Sequence, residues 1–536
     1  MSDGAKKART NELRGAPLDV VRELLGDGRT EEVLAVVAAL VSRNRELEML
    51  LAKMRESKNR GERVSLEQLT LFTKLLREQS GGELSEADRK LAEVAEENGG
   101  RPERTPPAKQ PPVRRPLPTE LRRVPNPISV PESERPCPAC GERRTCIAHE
   151  TTEVAELIPA EVIVRQDIRE VLACKKCDAE VVRAPMGDKV IAGGAYGSYL
   201  VADLVVGKYW DSLPLHRQGQ QLERLGLSIP SSSMADQITW ATDLLRPIYD
   251  RLKIVVLLAA VMHVDATGIP VRDRDNPTGI HVGSLWGYVG DTTSAVYLYT
   301  STGKKLGQRE GELGPEQFLA LRRGPVVADA ANLFDASFEG DERIEIGCNM
   351  HARRYFVKAL DAGDARASMP IAAFRALYDI EDAVRDASAE ERRVQRRRRS
   401  KPVYDELLAW GQAHRALEPP NSLLGVALRY LDNHHVALTR FLDDGKLPID
   451  NGIVERLHRR PAVGRRNYLF AGSHAGADRA AIAYSVCATC NLLGINPVDY
   501  LADVLPRLAR GLDDAEIPAL MPATWKVTRP QALAAE

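Results

Sequence analysis

An excess of charge of either sign is missing from this chain: 74 Lys and Arg stand against 75 Asp and Glu in 536 residues, a formal net charge of −1. Attraction of the whole molecule to a polyanion is thereby excluded, so any nucleic-acid contact has to come from local segregation of charge. Long apolar runs are also absent. The longest, IVVLLAAVMHV from Ile254, has eleven residues, against about 20 for a membrane span, and reads as a buried strand with its lead-in. The polar start MSDGAKKART has none of the pattern of a secretory signal. Eight cysteines are too few for the disulfide framework of a secreted scaffold, and the CxxC pairs at 137/140 and 174/177 point to a reducing, cytoplasmic setting and to metal. No GxxxxGK[ST] phosphate loop occurs, so nothing indicates nucleotide-driven chemistry. What is present, 43% hydrophobic and 28% charged residues, suffices for several globular domains, about three or four by length.

Residues 1–100 read as a helical region. Within it Val33, Val37, Leu40, Asn44, Leu47, Leu51 and Met54 form a short heptad seam over 33–54. Asn44 at an a position would fix register in a parallel pair; the alternative is an amphipathic helix packed on its own chain. The stretch 101–136 is an extended linker: from Arg101 to Arg135 it carries ten prolines and eight Arg or Lys against four acids. In 137–185, Cys137-Pro-Ala-Cys140 and Cys174-Lys-Lys-Cys177 form two knuckles whose four thiolates can close a tetrahedral, structural Zn²⁺ site. Cys146 and His149 are a second ligand pair in the same segment, read as packing residues or as substitutes in a mixed site. Cys487 and Cys490 lack a partner knuckle and read as core. Residues 186–252 are helical, a DNA-binding or scaffold region, with a weak helix-turn-helix signal around Gly226 and an N-cap at Ser231 to Ser233.

After Lys253 the pattern turns to strands. HVDATGIPV carries Asp265 midway, LWGYVG and AVYLYT read as two strands joined at Gly290-Asp291, PEQFLALRR is helical, PVVADA ends at Asp329, and RIEIGC precedes the helix NMHARRYFVKAL. That element order is the one of a ribonuclease H-like domain. If the strands of Asp265 and Asp329 are central and adjacent, both carboxylates meet at one sheet edge. A third acid has to come from a later helix. Glu455, ahead of five arginines and a histidine within eleven residues, is the one embedded in a phosphate-binding sequence; the plain alternative is a salt bridge to Arg459 on a helix stopped by Pro461. Three carboxylates offer oxygen ligands, which suit Mg²⁺ or Mn²⁺ in phosphoryl transfer. Arg459, Arg460, Arg465 and Arg466 would then hold DNA phosphates. His351, with Arg353 and Arg354, is either a DNA contact or a capped, solvated helix face. ERRVQRRRRSK at 391–401 has seven basic residues against one acid, so Arg396, Arg397 and Arg398 are further DNA contacts.

The motifs HVDATGIPV, VVADAANLFD, CNMHARRYF and DNGIVERLHRRPAVGRRNYLFAGSHAGADRAAIAYSV with GINPVDYL resemble the DDE transposases of insertion-sequence-66-type elements. The resemblance runs from the zinc segment to about Leu505. It implies catalytic acids at Asp265, Asp329 and Glu455, zinc at the two CxxC pairs, and metal-dependent DNA cleavage and strand transfer at element ends. Ala266 stands where the family more often has an acid and Met350 where it more often has an aromatic; neither is an expected ligand. The expected fold is multidomain α+β: the helical and coiled-coil region, the zinc module, a catalytic core split as 253–360 and 448–475 around a helical insertion at 361–447, and a C-terminal helical region at 476–536. Expected partners are DNA, both element ends and target, a second copy of the chain, and accessory proteins of the same element, at the nucleoid and not at a membrane. A catalytically silent DNA-binding derivative, or another ribonuclease H-like nuclease, is the alternative reading.

Overall fold

The computed structural model describes residues 84–99, 190–191, 194–302, 309–329, 342–416, 418–419 and 421–528, with short pieces between 123 and 183. The heptad seam at 33–54, and Cys137, Cys146, His149, Cys174 and Cys177, lie outside the described residues. Among the described residues no helix is long and apolar enough to cross a membrane. The chain divides into two compact units, one of residues 1–101 and 346–450 and one of 102–345 and 451–536.

The larger unit is built on a five-stranded mixed sheet. Its strands are β1 (Met262–Arg272), β2 (Ile280–Gly290), β3 (Ser294–Thr300), β4 (Gly324–Ala328) and β5 (Arg343–Gly347), in the order β3-β2-β1-β4-β5. β1 pairs antiparallel with β2 from Met262↔Gly290 to Arg272↔Ile280, and parallel with β4 at Met262↔Val326 and His263↔Val327. The β2–β3 turn has Asp291 and Thr292 at φ 46 and 59, the twist a tight hairpin favours. The Asp291 carboxylate accepts from the Ala260 and Val261 amides, which ties that turn to the entry of β1.

All seven residues of β3 are buried, although it is an edge strand whose amides would otherwise be open to any other chain. The helix His474–Leu492 covers it and supplies polar groups at the right spacing. Ser485 Oγ accepts from Tyr297 N at 2.8 Å and Thr489 Oγ1 from Ala295 N at 3.0 Å. Cys487 and Cys490 on the same helix are fully buried. The helix Gly452–Asn467 packs on β1 and β2.

Three local expectations are corrected. The apolar run at Ile254 is not strand with lead-in: the helix Arg246–Leu258 continues through it, leaving Ile254, Val255 and Leu258 exposed, and β1 begins only at Met262. Pro461 does not stop its helix but lies inside it. The helix Ser231–Leu244 is capped by Pro230, without a side-chain cap from its serines.

The smaller unit is helical where described. Asn349–Asp361, Ser368–Ala383, Ala389–Gln395, Lys401–Arg415 and Leu423–Thr439 pack with a helix from far upstream, Glu86–Gly99. Trp410 Nε1 donates to Asp88 Oδ1 at 2.7 Å, and both side chains are buried. The unit therefore begins before the expected insertion and recruits part of the N-terminal region. Arg396 to Ser400 form a widened π turn, and Arg396 is 1% exposed. Its guanidinium binds both Glu381 oxygens at 2.7 and 2.6 Å and the carbonyls of Phe441, Asp444 and Leu447. The expectation that Arg396 meets DNA is corrected: its guanidinium is held inside the helices by a carboxylate and three carbonyls, and at 1% exposure it presents no surface to a partner.

Candidate active site

Asp265 follows His263 by two residues and Asp329 follows Val327 by two, and His263 and Val327 are register partners in the parallel β1–β4 pair. Strand side chains repeat every second residue, so Asp265 shares a face of β1 with His263, while Asp329 lies one residue past the end of β4 and two past the partner of His263. β4 ends at Ala328 while β1 continues to Arg272. Asp329 thus sits at the carboxyl end of its strand, where α/β sheets open their crevices.

Glu455 lies in the first turn of Gly452–Asn467, and that turn is pinned to β1. Buried Asn451 donates through Nδ2 to Val264 O at 2.7 Å, and its Oδ1 lies 3.0 Å from His263 Nδ1. One turn on from Glu455, His458 places Nε2 3.5 Å from Asp265 Oδ2. Two turns further, Arg465 Nη1 donates to Thr267 Oγ1 at 2.9 Å and to Gly268 O. The helix therefore lies along β1 with contacts at residues 264, 265, 267 and 268. It can approach this closely because Gly287, the β2 partner of Asp265, has no side chain: a Cβ there would lie 2.8 Å from His458 Cε1 and 3.1 Å from Val454 Cγ2.

Asp265, Asp329 and Glu455 are all half-buried. His458 is deeply buried, and that burial pushes its imidazole down to about 4, with Arg465 acting in the same direction and the Asp265 contact opposing. The ring meets Tyr297 edge-on, centroids 5.6 Å apart. Tyr297 is itself raised by burial and by the nearby Asp265 charge. His458 and Tyr297 thus form a buried imidazole and aromatic wall beside Asp265.

Residues 193–479, more than half of the chain, match the family model described as "Transposase IS66 family". The chain belongs to the IS66 transposase family. Residues 134–178 match a second model of the same transposases, their "zinc-finger binding domain", and that segment contains Cys137, Cys140, Cys174 and Cys177. Among curated relatives, "Uncharacterized protein y4hP" of Sinorhizobium fredii is 32% identical over 439 residues, covering 77% of each chain. "Uncharacterized protein y4jD" of the same organism is 30% identical over 425 residues, covering 76% of this chain and 81% of the relative.

The basic residues of this IS66-family transposase fall into distinct environments. Arg459, Arg460 and Arg466 are exposed, while Arg465 is half-buried and braces β1. Arg460 also stacks over Trp210 at 4.7 Å and donates to its carbonyl at 3.1 Å. His351, Arg353 and Arg354 are half-buried on Asn349–Asp361 in the smaller unit. The start of that helix is held by Asn349, whose Nδ2 donates to Leu438 O and Ile449 O. Arg397 pairs with Asp443 at 2.9 Å on the surface, and Arg398 is exposed. Cys140 is exposed. Sequence reasoning missed Asn451, His458 and Gly287. His458 had a signal, since a residue three positions after Glu455 shares its helix face; Asn451 and Gly287 acquire their roles only through strand pairing.

Proposed function

We propose that this IS66-family protein is a DDE-type transposase that cleaves DNA and transfers strands at the ends of its element, with Asp265, Asp329 and Glu455 as its catalytic acids. The observation that supports this reading is the β1–β4 register at His263↔Val327, two residues before Asp265 and Asp329, together with the Asn451 clamp that holds the helix of Glu455 to β1. The strand order, with β1 central, β2 and β3 antiparallel on one side and β4 parallel on the other, supports a ribonuclease H-like core.

The donor set fits a hard divalent ion. Carboxylates about 5 Å apart repel by about 3 kcal/mol at an effective dielectric near 20, a cost that a cation between them removes. When bound, Mg²⁺ or Mn²⁺ would supply charge stabilisation to the phosphoryl group in flight and acidify the attacking hydroxyl. Asp265 and Asp329 provide two rigid oxygens from strands, and Glu455 provides a third from a helix fixed at both ends of its contact with β1. Exposed Arg459 and Arg466 lie on that same helix and suit the DNA backbone. Zn²⁺ on Cys137, Cys140, Cys174 and Cys177 would fold the preceding module, and the heptad seam would pair two chains so that one assembly holds two ends. Accessory proteins of the element remain part of this reading.

The test is nicking of a labelled element end in Mg²⁺ alongside binding in Ca²⁺. Asp265→Asn, Asp329→Asn and Glu455→Gln should each abolish nicking almost as fully as the triple variant, because ligands of one site act as a unit, while binding survives. Nicking retained by Glu455→Gln would remove Glu455 from the site, and nicking absent from the unaltered protein would leave a silent DNA-binding derivative.

A further inference from the structure

His458 has no role in the triad, yet the structure is built around it. It is 7% exposed, and among the described residues neither ring nitrogen makes a hydrogen bond within normal limits. A buried, unsatisfied imidazole costs about 1–3 kcal/mol, whereas a leucine in the same space would cost nothing of the kind. Asp265 faces it, with Oδ2 3.5 Å from Nε2. Gly287 gives up its side chain to admit the ring, and Tyr297, whose hydroxyl is also buried without a hydrogen bond, closes the other side. A ring walled in by a strand and an aromatic can move only slightly, and closing a few tenths of an ångström brings Nε2 within bonding range of Asp265.

We propose that His458 is a positioning residue: its Nε2–H holds Oδ2 of Asp265 while the Ala266 amide holds Oδ1 at 2.8 Å, which fixes the plane of the carboxylate that the ion meets, and because His458 shares a helix with Glu455 it also sets the spacing of those two acids. This rests on the triad reading above and adds to it a donor behind the metal site. A carboxylate oriented by donors on both oxygens keeps its remaining lone pairs for the ion and loses less freedom on binding, which is how outer partners commonly tune metal affinity by about 10- to 100-fold.

The experiment measures Mn²⁺ affinity of the full-length protein by the loss of the free-ion electron paramagnetic resonance signal, with nicking against Mg²⁺ concentration in parallel. His458→Leu should weaken Mn²⁺ binding about tenfold or more and shift the Mg²⁺ midpoint equally, with nicking largely restored at saturating metal. His458→Gln, which keeps a donor near the Nε2 position, should recover most of the affinity, and His458→Met, of similar length without a donor, should not. That pair decides the matter even if His458→Leu fails to fold. Equal Mn²⁺ affinity for the Gln and Met variants overturns the proposal. In an Asp265→Asn background His458→Met should add no further loss of Mn²⁺ binding. Failure of the triad reading is distinguishable: there Asp265→Asn itself leaves Mn²⁺ binding and nicking intact.

Discussion

The imidazole of His458 fills the space that a side chain on Gly287 would need, with 2.8 Å between His458 Cε1 and the position of the missing Cβ. Gly287 is also the register partner of Asp265, so strand pairing and helix docking meet at this one residue. Gly287→Ala should push the Gly452–Asn467 helix off the sheet and destabilise the larger unit by about 1–3 kcal/mol. Gly268→Ala on β1 is the matched control, since its nearest neighbour would be Val282 Cγ1 at an ordinary 3.6 Å. Urea unfolding of both variants checks this; equal stabilities would mean that the helix yields without cost.

Arg396 and Arg398 stand two residues apart in the same basic run and should behave in opposite ways. Removing Arg396 strands Glu381 without its partner and takes a donor from three carbonyls, so Arg396→Ala should cost about 3–5 kcal/mol of stability. Arg398→Ala should leave the melting temperature unchanged, weaken DNA binding, and reduce the salt dependence by about one ion. Melting curves with binding measured at several salt concentrations separate the two effects, and unchanged binding by Arg398→Ala would take this turn out of the DNA surface.

The purified protein should contain one Zn²⁺ per chain beyond any Mg²⁺ or Mn²⁺. Cys137→Ser and Cys174→Ser should each remove it, and Cys146→Ser should not, because two hinged thiolate pairs close a tetrahedral site without it. Elemental analysis of the three variants gives the answer, and zinc lost only with Cys146→Ser would reassign the ligands.

Burial pushes the Cys487 thiol up to about 12 and raises Cys490 well above the ordinary thiol value. An ordinary cysteine ionises near 8.5, so the unfolded chain gives up these protons first. The stability they protect is whole below about pH 8.5 and declines as pH rises towards 12. Iodoacetamide at pH 8.5 should leave both unlabelled in the native protein and label both in urea, as read by peptide mass. Rapid native labelling would mean that the His474–Leu492 helix opens.

By itself the sequence marked most of the elements and singled out candidate acids. Period-two patterns mark β1 to β5, Gly290-Asp291 marks the hairpin, and Asp265, Asp329 and Glu455 stand out by their places in β1, after β4 and ahead of the arginine run. These are local signals, carried by residues near one another in the chain. The neighbours across the sheet were decided only in three dimensions. Asn451 reaches Val264, and His458 reaches Asp265 and Gly287, across gaps of nearly two hundred residues that no periodicity encodes. The division within a charge run was settled the same way. Arg396 and Arg398 are equal as letters, and a π turn that buries one against Glu381 and leaves the other in water arises from the packing of helices. The run at Ile254 was misread for the same reason: apolar residues at a helix end and at a strand start look alike until the chain shows which of their faces another element covers.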